Sequence, residues 1–267
     1  MNPSTLLPLP PELLTDLKAG LANQETLSQF DLRGVDLRGA NLSKMCFLGA
    51  HLMGAILSEA NLQGADLRGA NLQGADLRGA NLLDASLNRA MLQGADLSGA
   101  NLTEARLQVA YYDRETVWPQ DYPYKTSGAI GPRAILNGAY LSTANLRDAD
   151  LQNTNLIGAY LNGTDLTGAN LENARLSGAN LRLAFLTGAY LRNARLNGVD
   201  LQGVDLRAAD LSGVEIEHLQ SIAGADFSLV QGLSEANRAK LLARSSAELD
   251  VWNSYTRRTT RQSLTIS

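Results

Sequence analysis

Apolar residues return at every fifth position along most of this chain. One series runs from Leu27 through Leu32, Leu37, Leu42, Phe47 and Leu52 to Leu107 and Tyr112. A second runs from Leu136 through Leu141 and Leu146 to Leu211 and Ile216. With each centre called i, position i−2 is nearly always Ala, replaced at Thr154, Thr164, Val199 and Val204; i−1 is mostly Asp or Asn, and i+2 is often Gly. The phrase is clearest in Ala60-Asn61-Leu62-Gln63-Gly64 and the repeats that follow it. A period of five fits neither a helix, at about 3.6, nor a plain strand, at about 2. A short fixed period sustained over this length predicts a solenoid.

Positions i−2 and i lie two apart, so on extended backbone they point the same way. They are the consistently apolar positions and are expected to point inward. Positions i−1, i+1 and i+2 then face water or form a bend, and Gly at i+2 tolerates the positive φ of a sharp corner. A short straight face and a corner in each repeat make a polygonal coil.

The pattern resembles the pentapeptide-repeat family, whose motif is A(D/N)LXX, and the resemblance extends over residues 27–114 and 134–217. It implies an all-β solenoid, a right-handed quadrilateral β-helix with about 20 residues per coil and about eight coils in all, about 40 Å long at a strand spacing of about 4.8 Å. Residues 20 apart would then stack on one wall. Asn41, Asn61, Asn81 and Asn101 would form a ladder, Leu62, Leu82 and Leu102 an inner column, and Asp36, Asp76 and Asp96 would share a wall with Ile56. Tyr140 would stack on Tyr160, and Arg175 on Arg195.

The two series are out of phase. Residues 115–133 break the phrase and carry Pro119, Pro123 and Pro132, which suit a loop and not a ladder. They are expected to leave one corner as an inserted loop, the rival being an irregular extra coil. An open solenoid exposes an unpaired strand edge, so both ends need caps. Residues 1–26 are expected to hold a short helix started by Pro10 and Pro11, and residues 218–267 a capping helix with Ser234 as its N-cap, followed by a basic tail anchored by Trp252 and Tyr255. Capped ends favour a monomer.

Composition changes this picture little. The chain has 267 residues and a formal net charge of −4. Residues 234–267 hold six Lys or Arg and three Asp or Glu, a local +3, so the rest sums to −7. Neither value gives the footprint of a nucleic-acid partner. A lone cysteine, Cys46, rules out an internal disulfide framework. The N-terminus has no basic region followed by a long apolar stretch, and no run approaches the roughly 18 apolar residues of a membrane span. A cytoplasmic protein without membrane attachment is expected.

Candidate chemistry is sparse. His51 falls at an outward i−1 slot and His218 where the repeat ends. No Ser/His/Asp or Cys/His set can be assembled, and Asp and Asn recur as part of the repeat, so neither catalysis nor a metal or other cofactor is expected. The aromatic insert stands out. Tyr111, Tyr112, Trp118, Tyr122 and Tyr124 cluster there in a chain that is only 5% aromatic, so they are candidate anchors for a protein partner; the rival is that the loop folds back and packs them. Tyr140 and Tyr160 form a second candidate. The family resemblance implies two functions: a protein-interaction scaffold or regulator, as in cyanobacterial members, or a DNA-mimicking inhibitor of a type II topoisomerase. Mimicry needs a strongly acidic surface, and Arg33, Arg38, Arg68, Arg78, Arg147, Arg182, Arg192 and Arg207 at i+1 interrupt the acidity.

Overall fold

In a computed structural model of the chain, residues 6–19 and 27–265 are described. They fall into two units, Met1–Ile130 and Gly131–Ser267. In each unit the i−1 residue of a repeat makes one parallel bridge to the residue one coil later. Asn41 pairs with Asn61, Asn61 with Asn81 and Asn81 with Asn101 in the first unit; Tyr140 pairs with Tyr160 and Arg175 with Arg195 in the second. Asp36, Ile56, Asp76 and Asp96 share a wall as the spacing predicts. The step between rungs is 20 residues, and four bridged columns give the coil four walls.

One repeat shows how the phrase folds. The Leu62 N–H donates upward to the Asn81 carbonyl at 2.8 Å, and the Asn61 N–H donates downward to the Ala40 carbonyl at 2.9 Å. The Ala65 N–H then returns to the Leu62 carbonyl at 3.0 Å, closing a turn whose third residue, Gly64, has φ +64°. That conformation favours glycine. The Asn61 carboxamide oxygen accepts the Gln63 N–H at 3.2 Å, and the Asp66 carboxylate accepts the Arg68 N–H at the same distance. This Asx turn gives a backbone donor a partner and explains why i−1 is Asp or Asn. The asparagine column adds amide-to-amide bonds between rungs, at 3.1 Å from Asn61 to Asn41 and 3.2 Å from Asn81 to Asn61. Inside, leucine and alanine are sealed from water; Ala60, Leu62, Leu67 and Leu82 have no exposed surface.

The insert departs from expectation. It is an irregular coil and not a loop that leaves one corner. Val117 bridges to Asp96 one residue late, and Ile130 bridges to Tyr111 one residue early. The extra residue before Val117 is taken up around Thr116, whose hydroxyl donates to the Leu92 carbonyl at 2.9 Å. The Asp113 carboxylate receives the Glu115 and Thr116 N–H groups and, from the coil below, that of Gly94. Ladder pairing is thus kept on two walls, while the columns of Asn101 and Arg106 end there among the described residues. The residue added before Val117 is absorbed as a local bulge, and the Asp96 column re-forms at Val117.

At the N-terminus, β1 (Leu7–Pro8) pairs in parallel with β2 (Phe30–Asp31), and α1 (Pro11–Ala19) follows it with Leu17 buried. The expected helix is present; the rest of the expected cap, residues 1–5 and 20–26, lies outside the described residues. At the other end the coil does not stop at residue 217. Ser221, Asp226 and Gln231 continue the columns of Asp200, Asp205 and Asp210, each 21 residues on. Beyond them come α2 (Glu235–Leu242), α3 (Ser246–Leu249) and α4 (Thr260–Thr265). The Ser234 hydroxyl accepts the Asn237 N–H, so the expected N-cap is in place.

Side chains, not a further strand, satisfy the last rung. Asn237 donates to the Val214 carbonyl, Arg244 to those of Leu219 and Gln220, Asn253 to that of Gly224, and Thr260 to that of Ile222. The basic tail is built into this cap: Arg258 reaches the Ser228 hydroxyl at 3.0 Å, and Arg261 pairs with Asp250 at 2.7 Å. Trp252 does not anchor it, being 61% exposed; the buried neighbour Asn253 does. Tyr255 is also exposed but rests edge-on against Phe185, with ring centroids 4.9 Å apart.

Candidate interaction surface

The insert aromatics pack on one another. Tyr112 meets Trp118 and Tyr124 edge-on, with centroids 5.4 and 5.6 Å away, and Trp118 stacks with Tyr124 at 5.5 Å and Tyr122 at 5.7 Å. Tyr112 is almost fully buried, and Trp118, Tyr122 and Tyr124 are half-buried. Tyr112 is therefore corrected from partner anchor to core residue. The sequence carried the signal, since Tyr112 is itself an inward i centre. Trp118 follows the ladder residue Val117 and so takes the next inward slot, where its indole N–H is buried without a hydrogen-bond acceptor. Tyr111 lies on the wall of Met91 and Ile130. Burial pushes the hydroxyls of Tyr111 and Tyr122 above the usual tyrosine range.

Tyr140 and Tyr160 behave differently. They occupy successive rungs of one wall in the second unit, with rings parallel within 2° and centroids 4.8 Å apart. Tyr140 is 82% exposed and Tyr160 44%. A parallel ladder holds the two rings in one fixed, outward-facing stack.

Charge on the walls is neutralised locally. Arg33, Arg68 and Arg78 reach back two residues to Asp31, Asp66 and Asp76 at 2.6–2.7 Å, and Arg207 does the same to Asp205. Arg147, Arg182 and Arg192 instead reach an aspartate one coil on, namely Asp165, Asp200 and Asp210. Of the eight i+1 arginines only Arg38 makes no ion pair among the described residues. Hydrogen bonds from the guanidinium pull the carboxyls of Asp31 and Asp76 down to about 2. The folded value lies below the ordinary 3.8, so the pairing stabilises the fold above that pH, and the stabilisation is lost as pH falls toward about 2. An NMR titration is expected to place the Asp76 midpoint at about 2, and the Arg78→Gln variant to return it to about 4. Equal midpoints in the two proteins would refute the assignment.

His51 lies half-buried on the ladder between Asp31 and Asn71, and His218 is an exposed turn residue with φ +50°. Cys46 is half-buried on the wall of Asp66. Among the described residues no three His, Cys, Asp or Glu side chains converge as metal ligands, and no helix is long and apolar enough to cross a membrane.

The family model described as pentapeptide repeats matches in 8 copies, over residues 26–52, 36–74, 70–108, 133–163, 144–182 and 174–213. Among solved structures the chain is similar to HetL, a pentapeptide repeat protein involved in heterocyst differentiation regulation from the cyanobacterium Nostoc sp. strain PCC 7120. Identity is 33% over 76% of this chain and 83% of HetL, with a TM-score of 0.35. It is also similar to the pentapeptide repeat protein Rfr23 from the cyanobacterium Cyanothece 51142, at 46% identity over 31% of this chain and 56% of that one, TM-score 0.31. QnrB1, a plasmid-mediated fluoroquinolone resistance protein, is 21% identical over 78% of this chain and 96% of its own, TM-score 0.37. No curated protein matches the sequence. The repeat phrase, the four-walled ladder it builds and the match to the family model over more than half of the chain place it in the pentapeptide repeat family, whose members fold as right-handed quadrilateral β-helices.

Proposed function

We propose that the chain is a non-catalytic interaction scaffold or regulator, a cytoplasmic monomer that offers a rigid β-helical wall to a protein partner. The observation that carries this reading is the Tyr140–Tyr160 stack. Two parallel, exposed rings are held on successive rungs. Tyrosine offers large contact area at low entropic cost, and a preorganised pair keeps that cost lower still. Trp118, Tyr122 and Tyr124 are secondary contacts, limited by the surface they spend on each other.

The test is co-purification from native extract with wild type and a Tyr140→Ala/Tyr160→Ala double variant. Both side chains point outward, so the variant is expected to keep its thermal midpoint while the specific partner is lost. A partner retained in full would remove the support for this surface. Deleting the insert is a poor test, because Val117 and Ile130 belong to the ladder.

The rival reading, a DNA-like inhibitor of a type II topoisomerase, needs rows of unpaired carboxylates. The arginine partners of Asp31, Asp66, Asp76, Asp165, Asp205 and Asp210 speak against it. Stoichiometric protein is expected to leave gyrase supercoiling unchanged.

A further inference from the structure

The ladder slot before each inward residue is Asp or Asn over most of the chain, yet one wall of the second unit reads Ile135, Asn155, Arg175, Arg195, Glu215. Two arginines therefore occupy successive rungs, where like charges repel. Arg195 finds Glu215, Nε to Oε1, at 3.4 Å. Arg175 makes no ion pair or side-chain hydrogen bond among the described residues. This sets it apart from the i+1 arginines, nearly all of which have an aspartate within 2.5–3.6 Å.

A cleft of about 430 Å³ opens beside these two arginines, lined by Asn173, Arg175, Asn193, Arg195 and Glu215. Asn173 and Asn193 hold left-handed corners, φ +58° and +55°, a conformation asparagine adopts more readily than most residues. Both line the same cleft as the guanidinium groups. The slot that supplies a carboxylate to arginines elsewhere is here arginine itself, so Arg175 has no carboxylate partner among the described residues, while Glu215 is taken by Arg195.

We propose that this cleft binds an oxyanion, a phosphate or carboxylate group, gripped by Arg175 and steadied by Arg195 and the two asparagines. The planar guanidinium fork matches two oxygens of either group. Glu215 repels an anion on the side of Arg195, so the ligand sits toward Arg175. The site goes beyond the scaffold reading and is tested with small anions on the isolated chain, so its failure leaves the tyrosine wall untouched, and the reverse.

The experiment follows the arginine Nε–Hε resonances while inorganic phosphate, acetate or chloride is added at constant ionic strength. Saturable shifts at Arg175 and Arg195 with phosphate or acetate, absent with chloride, are expected; the stronger of the two names the source. Arg175→Gln should weaken binding at least tenfold, and Glu215→Gln should tighten it. Equal response to chloride, or an Arg175→Gln protein that binds as wild type does, overturns the proposal.

Discussion

Replacing Leu82 by alanine is expected to destabilise the first unit by about 2–5 kcal/mol, the range for a large core side chain cut back to a methyl group. Leu82 has no exposed surface and stands in a single-file column between Leu62 and Leu102. The core is one leucine and one alanine deep per repeat, so no neighbouring layer can slide in to fill the gap. The backbone cannot collapse either, because the Leu82 N–H is bonded to the Asn101 carbonyl at 2.9 Å and the Ala85 N–H to the Leu82 carbonyl at 3.0 Å. The control is the next residue. Leu83 lies at an i+1 corner position, half-exposed, and its truncation should change stability by less than about 0.5 kcal/mol. Urea unfolding of the two variants separates the cases. Equal midpoint shifts for Leu82→Ala and Leu83→Ala would mean that the inward column has been wrongly placed.

The same alternation shows how much of this fold can be read from residues alone. A phrase of five positions with apolar residues at two of them leaves one inward pair, one outward slot and one corner. Successive rungs then follow from a 20-residue coil, as the Asn41–Asn61–Asn81 column bears out. What the pattern hides is any place where a residue is added but the ladder survives. Val117 over Asp96 and Ser221 over Asp200 are both 21 residues on, and in each case a corner swells while the bridge re-forms. Periodicity registers such a step as the end of the repeat, which is why the insert reads as a loop and the coil as ending before Gln231. The candidate site divides in the same way. The Tyr140–Tyr160 stack and the inward slot of Tyr112 follow from spacing; the inward slot of Trp118 depends on the register that the insert obscures.

The capping helix and its Ser234 N-cap can be read from the sequence, but not Asn253, one of the side chains that tie the cap to the last rung. Asn253 is 1% exposed, and its carboxamide is fully engaged: its two N–H groups serve the carbonyls of Gly203, Val204 and Gly224, one N–H being shared, and its oxygen accepts the N–H groups of Tyr255 and Thr256. Asn253→Ala leaves those groups unsatisfied in a buried setting, where each lost partner costs about 1–3 kcal/mol, and the sum is less than additive because the Val204 carbonyl keeps its bond from the Asp226 N–H. A local loss of about 3 kcal/mol is expected. Hydrogen exchange reads it directly at the Phe227 amide, which is held by the Ser263 hydroxyl of α4 at 3.0 Å. That amide should exchange about 100-fold faster, the factor that about 3 kcal/mol corresponds to. An uncapped rung also presents free strand edge, so the variant should self-associate at concentrations where wild type does not. Trp252→Ala, one residue away on the exposed side, should do neither. If the tryptophan variant loosens the Phe227 amide as much as the asparagine variant does, the cap is held by apolar contact and not by the buried carboxamide.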